Sequence, residues 1–91
     1  GHDYAERNLA FVLALEPGNA AARRRLDEVR AARARGEEPS APTLDEERAV
    51  NPFLRVADPR MRDAVAARIA LPPGAPPEAV FVALRALRDR G

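Results

Sequence analysis

Thr43-Leu44-Asp45-Glu46-Glu47-Arg48-Ala49-Val50-Asn51-Pro52-Phe53-Leu54-Arg55 decides how the chain folds. A hydroxyl residue followed three positions later by glutamate is a capping box. The Thr43 hydroxyl accepts from the Glu46 N–H, while the Glu46 carboxylate reaches back to the Thr43 N–H. A short helix is therefore predicted from Thr43 to about Val50. It cannot continue, because Pro52 pushes Asn51 out of the helical region. Phe53 and Leu54 are expected to bury where the chain breaks.

The same punctuation recurs on the N-terminal side. Glu37–Pro42 is a short Pro/Ser loop, and Gly36 before it is a natural left-handed helix stop. Asn19 is placed to cap a second helix that ends near Gly36 and carries Ala22, Leu26 and Val29 inward. Before it, a first helix from about Asp3 to Glu16 stops at Pro17-Gly18. Its apolar residues Leu9, Phe11, Val12, Leu13 and Leu15 keep to one broad face. Tyr4, Asn8, Phe11 and Leu15 share one stripe, so Tyr4 and Asn8 are expected to point the same way as core residues.

On the C-terminal side, Asp58-Pro59 is an N-cap with proline at the first helical position. It opens a fourth helix, expected to carry Met61, Val65 and Ile69 inward and to end at Pro72-Pro73-Gly74. Pro76-Pro77-Glu78 opens a fifth, with Val80, Phe81, Leu84 and Leu87 on its buried face. Arg85 and Arg88 are left side by side at i, i+3 on an adjoining face, where positive charge near a helix C-terminus is favoured in any case. The fold class that follows is all-α, a small bundle of about five helices. Its expected core is Leu9, Val12, Leu26, Val29, Phe53, Leu54, Val65, Ile69, Phe81 and Leu84.

Composition narrows the functions. The 91 residues form one small domain, which buries roughly 60–65% of its unfolded surface. Fifteen basic residues, all arginine, stand against fourteen acidic ones, so no global field recruits nucleic acid or a membrane surface. Six arginines lie between Arg23 and Arg35, but no aromatic is interleaved and no groove-reading motif is present. That strip reads as a solvated helix face, and no nucleic-acid partner is expected. Without cysteine there is no disulfide, zinc finger or thiol nucleophile. No apolar run approaches the roughly 20 residues that cross a bilayer, so no membrane partner is expected either, and a cytoplasmic location is.

One feature stands out chemically. Gly1-His2-Asp3-Tyr4 holds the only histidine and the only tyrosine, both at the mouth of the first helix. A histidine held in one orientation there suits a metal ligand or a base. A lone terminal histidine is also commonly solvated and idle, and Gly1-His2 fits the remnant of a cleaved tag equally well.

The motifs taken together resemble the hydroxyacylglutathione hydrolases (glyoxalase II, of the metallo-β-lactamase-fold superfamily). Gly1-His2-Asp3-Tyr4 with Asn8-Leu9 and Phe11 looks like the family's Gly-His-Glu-Tyr-Thr…Asn-Leu…Phe segment. Thr43-Leu44…Glu46-Glu47-Arg48…Asn51-Pro52-Phe53-Leu54-Arg55 resembles its Thr-Leu-x-Glu-Glu…Asn-Pro-Phe-Leu-Arg run, the most specific of the matches. Arg85-Ala86-Leu87-Arg88-Asp89 resembles its final Arg-x-x-Lys-Asp. Pro17-Gly18-Asn19 and Gly36-Glu37 also have counterparts. Departures are Asp3 for glutamate, Ala5 for threonine, Arg88 for lysine and Gly91 where an aromatic often closes the chain. Ala5 removes a hydroxyl, which puts any hydrogen bond it makes in relatives in doubt.

The resemblance implies that residues 1–91 are a C-terminal helical, glutathione-binding domain, with 1–16 shared with the junction to a metallo-β-lactamase-like N-terminal domain. The intact protein would then hydrolyse S-D-lactoylglutathione to D-lactate and glutathione, in methylglyoxal detoxification. His2 would be a metal ligand, Tyr4 and Asn8 would line the glutathione pocket, and Arg85 and Arg88 would hold the tripeptide's glycine carboxylate. The family uses two divalent metal ions, zinc being the expected metal. A catalytic zinc takes about three protein ligands plus water, and this chain has one histidine. The chain alone is therefore expected to bind no metal and to carry no catalytic residue. A different class of reading rests on Leu13–Arg23, which resembles the helix-turn-helix junction of a tetratricopeptide repeat and would make the chain a helical protein-interaction module. That module needs a second copy about 34 residues on, and none recurs around Asn51-Pro52.

Overall fold

A computed structural model describes residues 2–90, with the His2 side chain outside the description. The described residues form five α-helices and a 3-10 turn, with no strand among them. They divide into two units, Gly1–Val50 and Asn51–Gly91.

In the first unit α1 (His2–Leu15) packs along α2 (Ala20–Ala34), and α2 packs against α3 (Leu44–Val50). The corner between α1 and α2 is built on Asn19. Its Oδ1 accepts from the Ala22 N–H at 3.0 Å, which caps α2. Its Nδ2 donates to Glu16 Oε1 at 3.2 Å and to the Ala49 carbonyl at 2.9 Å. One side chain thus closes a helix start, holds the preceding turn and takes up a carbonyl in the last turn of α3. Leu9, Val12, Ala22, Leu26 and Val29 form the buried cluster, with Ala5, Leu13 and Val50 packed on it.

The capping box ahead of α3 is present: Glu46 N–H donates to Thr43 Oγ1 at 3.1 Å, and Thr43 N–H to Glu46 Oε1 at 3.4 Å. The stop at Gly36 is present too. Gly36 N–H donates to the Arg33 carbonyl at 3.0 Å and Glu37 N–H to the Ala32 carbonyl at 2.9 Å, the two bonds of a Schellman motif. Gly36 has φ +70°, a left-handed conformation that a Cβ disfavours.

In the second unit Asn51 Oδ1 accepts from the Phe53 N–H at 3.0 Å and starts a 3-10 turn, Pro52–Arg55. Asp58 Oδ1 accepts from the Arg60 N–H at 2.9 Å and starts α4 (Pro59–Ala66). Ala75 N–H bonds back to the Pro72 carbonyl at 3.1 Å, with Gly74 at φ +68° in the bend, and α5 (Pro77–Arg90) follows. Met61 and Val65 of α4 and Val80, Ala83 and Leu84 of α5 are buried where the two helices pack.

Several expectations are corrected. Tyr4 and Asn8 do not face the core: Tyr4 is 64% exposed and Asn8 is exposed. The line that buries is Ala5, Leu9 and Val12, one residue along and so about 100° round the helix. Leu54 is 54% exposed, because successive residues of a 3-10 turn lie about 120° apart and Phe53 and Leu54 cannot both point inward. Phe53 itself is half-buried. Phe81 is 41% exposed, since α5 buries the Val80-Ala83-Leu84 line beside it. Leu87 and Ile69 are half-buried. The fourth helix ends at Ala66, short of Pro72. Its last turn tightens, with Arg68 N–H on the Val65 carbonyl at 2.9 Å.

Replacing Asn19 with alanine is expected to lower the unfolding free energy by about 1–2 kcal/mol, read as a shift in urea midpoint at constant slope. Asn19→Asp keeps a capping oxygen but has no donor for Glu16 or Ala49, so it is expected to destabilise as well. An aspartate variant as stable as the original would show that the cap alone matters.

Candidate anion-binding site

The four residues singled out for substrate binding occur as two pairs, each set by its own helix. Tyr4 and Asn8 lie one turn apart on α1, both exposed, so a phenol and a carboxamide stand open on that helix. Arg85 and Arg88 lie three residues apart on α5, Arg85 exposed and Arg88 half-buried. His2 is the first residue of α1, and its proposed ligand role falls on a side chain outside the described residues, as do Gly1 and Gly91.

The first turn of α1 is anchored by a residue that sequence reading passed over. Arg33, near the end of α2, places Nη1 3.0 Å from Glu6 Oε1 and Nη2 3.2 Å from Asp3 Oδ1. The hydrogen bond to Glu6, with the charges of Glu6 and Asp3, holds its guanidinium above its ordinary pKa. Asp3, a departure from the usual glutamate of the motif it resembles, therefore has a partner here. No short-range spacing signals a contact across 27 positions, and the other arginines of α2 offer the same chemistry to a sequence reading. Arg25 is likewise engaged, with Glu28 at 3.3 Å and with the Ser40 carbonyl. The basic strip is thus partly drawn into local pairs, as a solvated helix face would be.

Arg88 has a different neighbourhood. Its guanidinium carbon sits over the Phe53 ring, 4.8 Å from the centroid. The Phe53 and Phe81 rings meet edge to face, 5.0 Å apart at 68°. Arg88 Nε lies 3.9 Å from Asp89 Oδ1, an ion-pair separation beyond hydrogen-bonding range. A sequence reading assigned both phenylalanines to the core and so missed this contact. The only hint was that Phe53 follows a proline break and cannot share a burial direction with Leu54. Chemically, two adjacent guanidinium groups, one resting on an aromatic face, suit a carboxylate or phosphate oxygen. For metal the donor set is insufficient: among the described residues no group of three or more His, Cys, Asp or Glu side chains could hold an ion. No described helix is long and apolar enough to cross a membrane.

Comparison with known proteins gives the family. The family described as "Hydroxyacylglutathione hydrolase C-terminus" matches residues 3–91. A hydroxyacylglutathione hydrolase of Anaeromyxobacter dehalogenans is 61% identical over 90 residues, covering 99% of this chain and 35% of the relative. One from Rhodobacter capsulatus is 52% identical over 91 residues, covering 99% and 34%. One from Methylococcus capsulatus is 42% identical over 88 residues, covering 97% and 32%. The chain spans about a third of the length of these relatives. A single family running the length of the chain does not favour the tetratricopeptide alternative.

Removing the Arg33 anchor by Arg33→Ala is expected to speed amide exchange in the first turn of α1 while the α2 core stays protected. Because these charges are exposed, the difference between variant and original should shrink at about 1 M salt, where the screening length is about 3 Å. Uniform acceleration through α1 and α2 would instead assign Arg33 to the stability of the whole unit.

Proposed function

The chain belongs to the hydroxyacylglutathione hydrolase C-terminal family, and on that premise we propose that it is the substrate-binding part of a thioester hydrolase. The substrate is S-D-lactoylglutathione, and the products are D-lactate and glutathione. The observation that carries the reading is the family match over residues 3–91, with Arg85 and Arg88 displayed on one face of α5 within it. In this reading Arg85 and Arg88 hold the glycine carboxylate of glutathione, and Tyr4 and Asn8 offer a hydroxyl and an amide for glutathione binding. Arginine in place of the family's lysine at position 88 keeps the cation and adds a planar donor fork.

The thioester chemistry is assigned to residues beyond this chain. Two divalent ions, zinc by expectation, supply it in the family by lowering the pKa of a bound water. One histidine and no cysteine do not make such a centre. His2 would be at most one ligand of it. A metallo-β-lactamase-like domain supplying the remaining ligands is the partner this reading requires, within a protein about as long as the relatives. We place that protein in the cytoplasm, consistent with a chain that has no cysteine and no helix able to span a membrane among its described residues.

Two measurements test the assignment in the full-length protein. Hydrogen bonds to charged groups contribute on the order of 1.5–3 kcal/mol when shielded and less at an open rim. Arg85→Ala/Arg88→Ala is therefore expected to raise KM for lactoylglutathione roughly 10- to 1000-fold. The clamp is remote from the thioester carbon and holds substrate and transition state alike, so kcat should change little. His2→Ala should do the reverse, lowering kcat together with metal content. A double arginine variant with a normal KM would remove the pair from the site.

A further inference from the structure

We propose that Phe53 is a positioning residue for the substrate carboxylate, its ring face holding the Arg88 guanidinium in place without using up its N–H donors. The inference rests on the reading of Arg88 as a carboxylate ligand and adds what makes that ligand effective.

An arginine side chain has several rotatable bonds, and fixing it on substrate binding opposes affinity. A carboxylate partner would hold it, but would also occupy the donors and neutralise the charge that recognises substrate. An aromatic face attracts the cation through the ring quadrupole and accepts no conventional N–H···O bond. Arg88 is held in this second way, 4.8 Å from the Phe53 centroid, while Asp89 stays 3.9 Å away.

Phe53 is itself fixed. Asn51 Oδ1 takes its N–H at 3.0 Å, Pro52 restricts the backbone before it, and Phe81 meets its ring at 5.0 Å and 68°. Phe81 stands seven residues before Arg88 on α5, with Arg85 between, so the supporting ring and both guanidinium groups share one side of that helix. The 3-10 turn after the Asn51-Pro52 break thus delivers a ring under a cation carried by a helix far along the chain. A half-buried Phe53 and an exposed Phe81 are placed as this role requires, at the surface and not within the core.

The test uses the full-length enzyme with lactoylglutathione. Phe53→Leu keeps an apolar side chain and removes the quadrupole. KM is expected to rise roughly 2- to 5-fold at unchanged kcat, the range for a surface cation–aromatic contact. Phe53→Tyr should restore it. Pentafluorophenylalanine at position 53 keeps the shape and reverses the ring's electrostatics, so it should behave as the leucine variant even if leucine impairs folding. In the Arg88→Ala background Phe53→Leu should have no further effect on KM. Without substrate, the Arg88 Nε–H resonance should move downfield in Phe53→Leu as the ring current is lost.

A pentafluoro variant with the original KM overturns the proposal, and so does an equal effect of Phe53→Leu with and without Arg88. If Arg88→Ala leaves KM unchanged, the clamp reading itself fails. The resonance then still reports whether the ring holds the cation, which separates the two failures.

Discussion

At the starts of α2, α3, the 3-10 turn and α4, one short polar side chain accepts a backbone N–H that has no partner within the helix. Asn19 serves Ala22, Thr43 serves Glu46, Asn51 serves Phe53 and Asp58 serves Arg60. A helix of seven or eight residues forms too few internal bonds to persist alone. Here α3 is seven residues and α4 eight, so satisfying the free donors at their starts decides where they begin. Gly36 and Pro52 mark where α2 and α3 stop.

The consequence for the site is positional. Asn51 and Pro52 start the 3-10 turn that carries Phe53, and so set where its ring goes within the second unit. That ring meets Phe81 and Arg88, so a backbone constraint in the middle of the sequence acts on a charged side chain near its end. Asn19 performs a similar linkage in the first unit, joining the α1–α2 corner to Ala49 just before the same break. In both units the link runs through one side chain with several polar or aromatic neighbours, so loss of that residue removes more than one interaction at once.

Charge is used differently in the two units. Arg33 is neutralised by Asp3 and Glu6 and orders the first turn of α1, a structural use of a cation. Arg88 rests on the Phe53 ring, with Asp89 no nearer than 3.9 Å, so its donors are not taken up by a close carboxylate. The chain is nearly neutral overall, with fifteen basic and fourteen acidic residues. Any recognition of an anion by a chain so balanced would have to come from local placement rather than from a net field.

Local rules of the backbone made much of this legible from the sequence. The caps at Asn19, Thr43 and Asp58, the stop at Gly36 and the breaks at Pro17-Gly18 and Asn51-Pro52 each depend on a few adjacent residues, and each is present. Five helices and the buried line Leu9, Val12, Leu26 and Val29 follow from them. What the sequence left open is which edge of a broad apolar face turns inward. Periodicity placed Tyr4 and Phe81 with the core, yet both are exposed, because a helix buries only the line its neighbour covers. The pairings of Arg33 with Glu6 and of Arg88 with Phe53 span 27 and 35 positions, and no local pattern specifies them. Tertiary packing alone chose among fifteen chemically similar cations, since proximity across the chain is a property of the folded state.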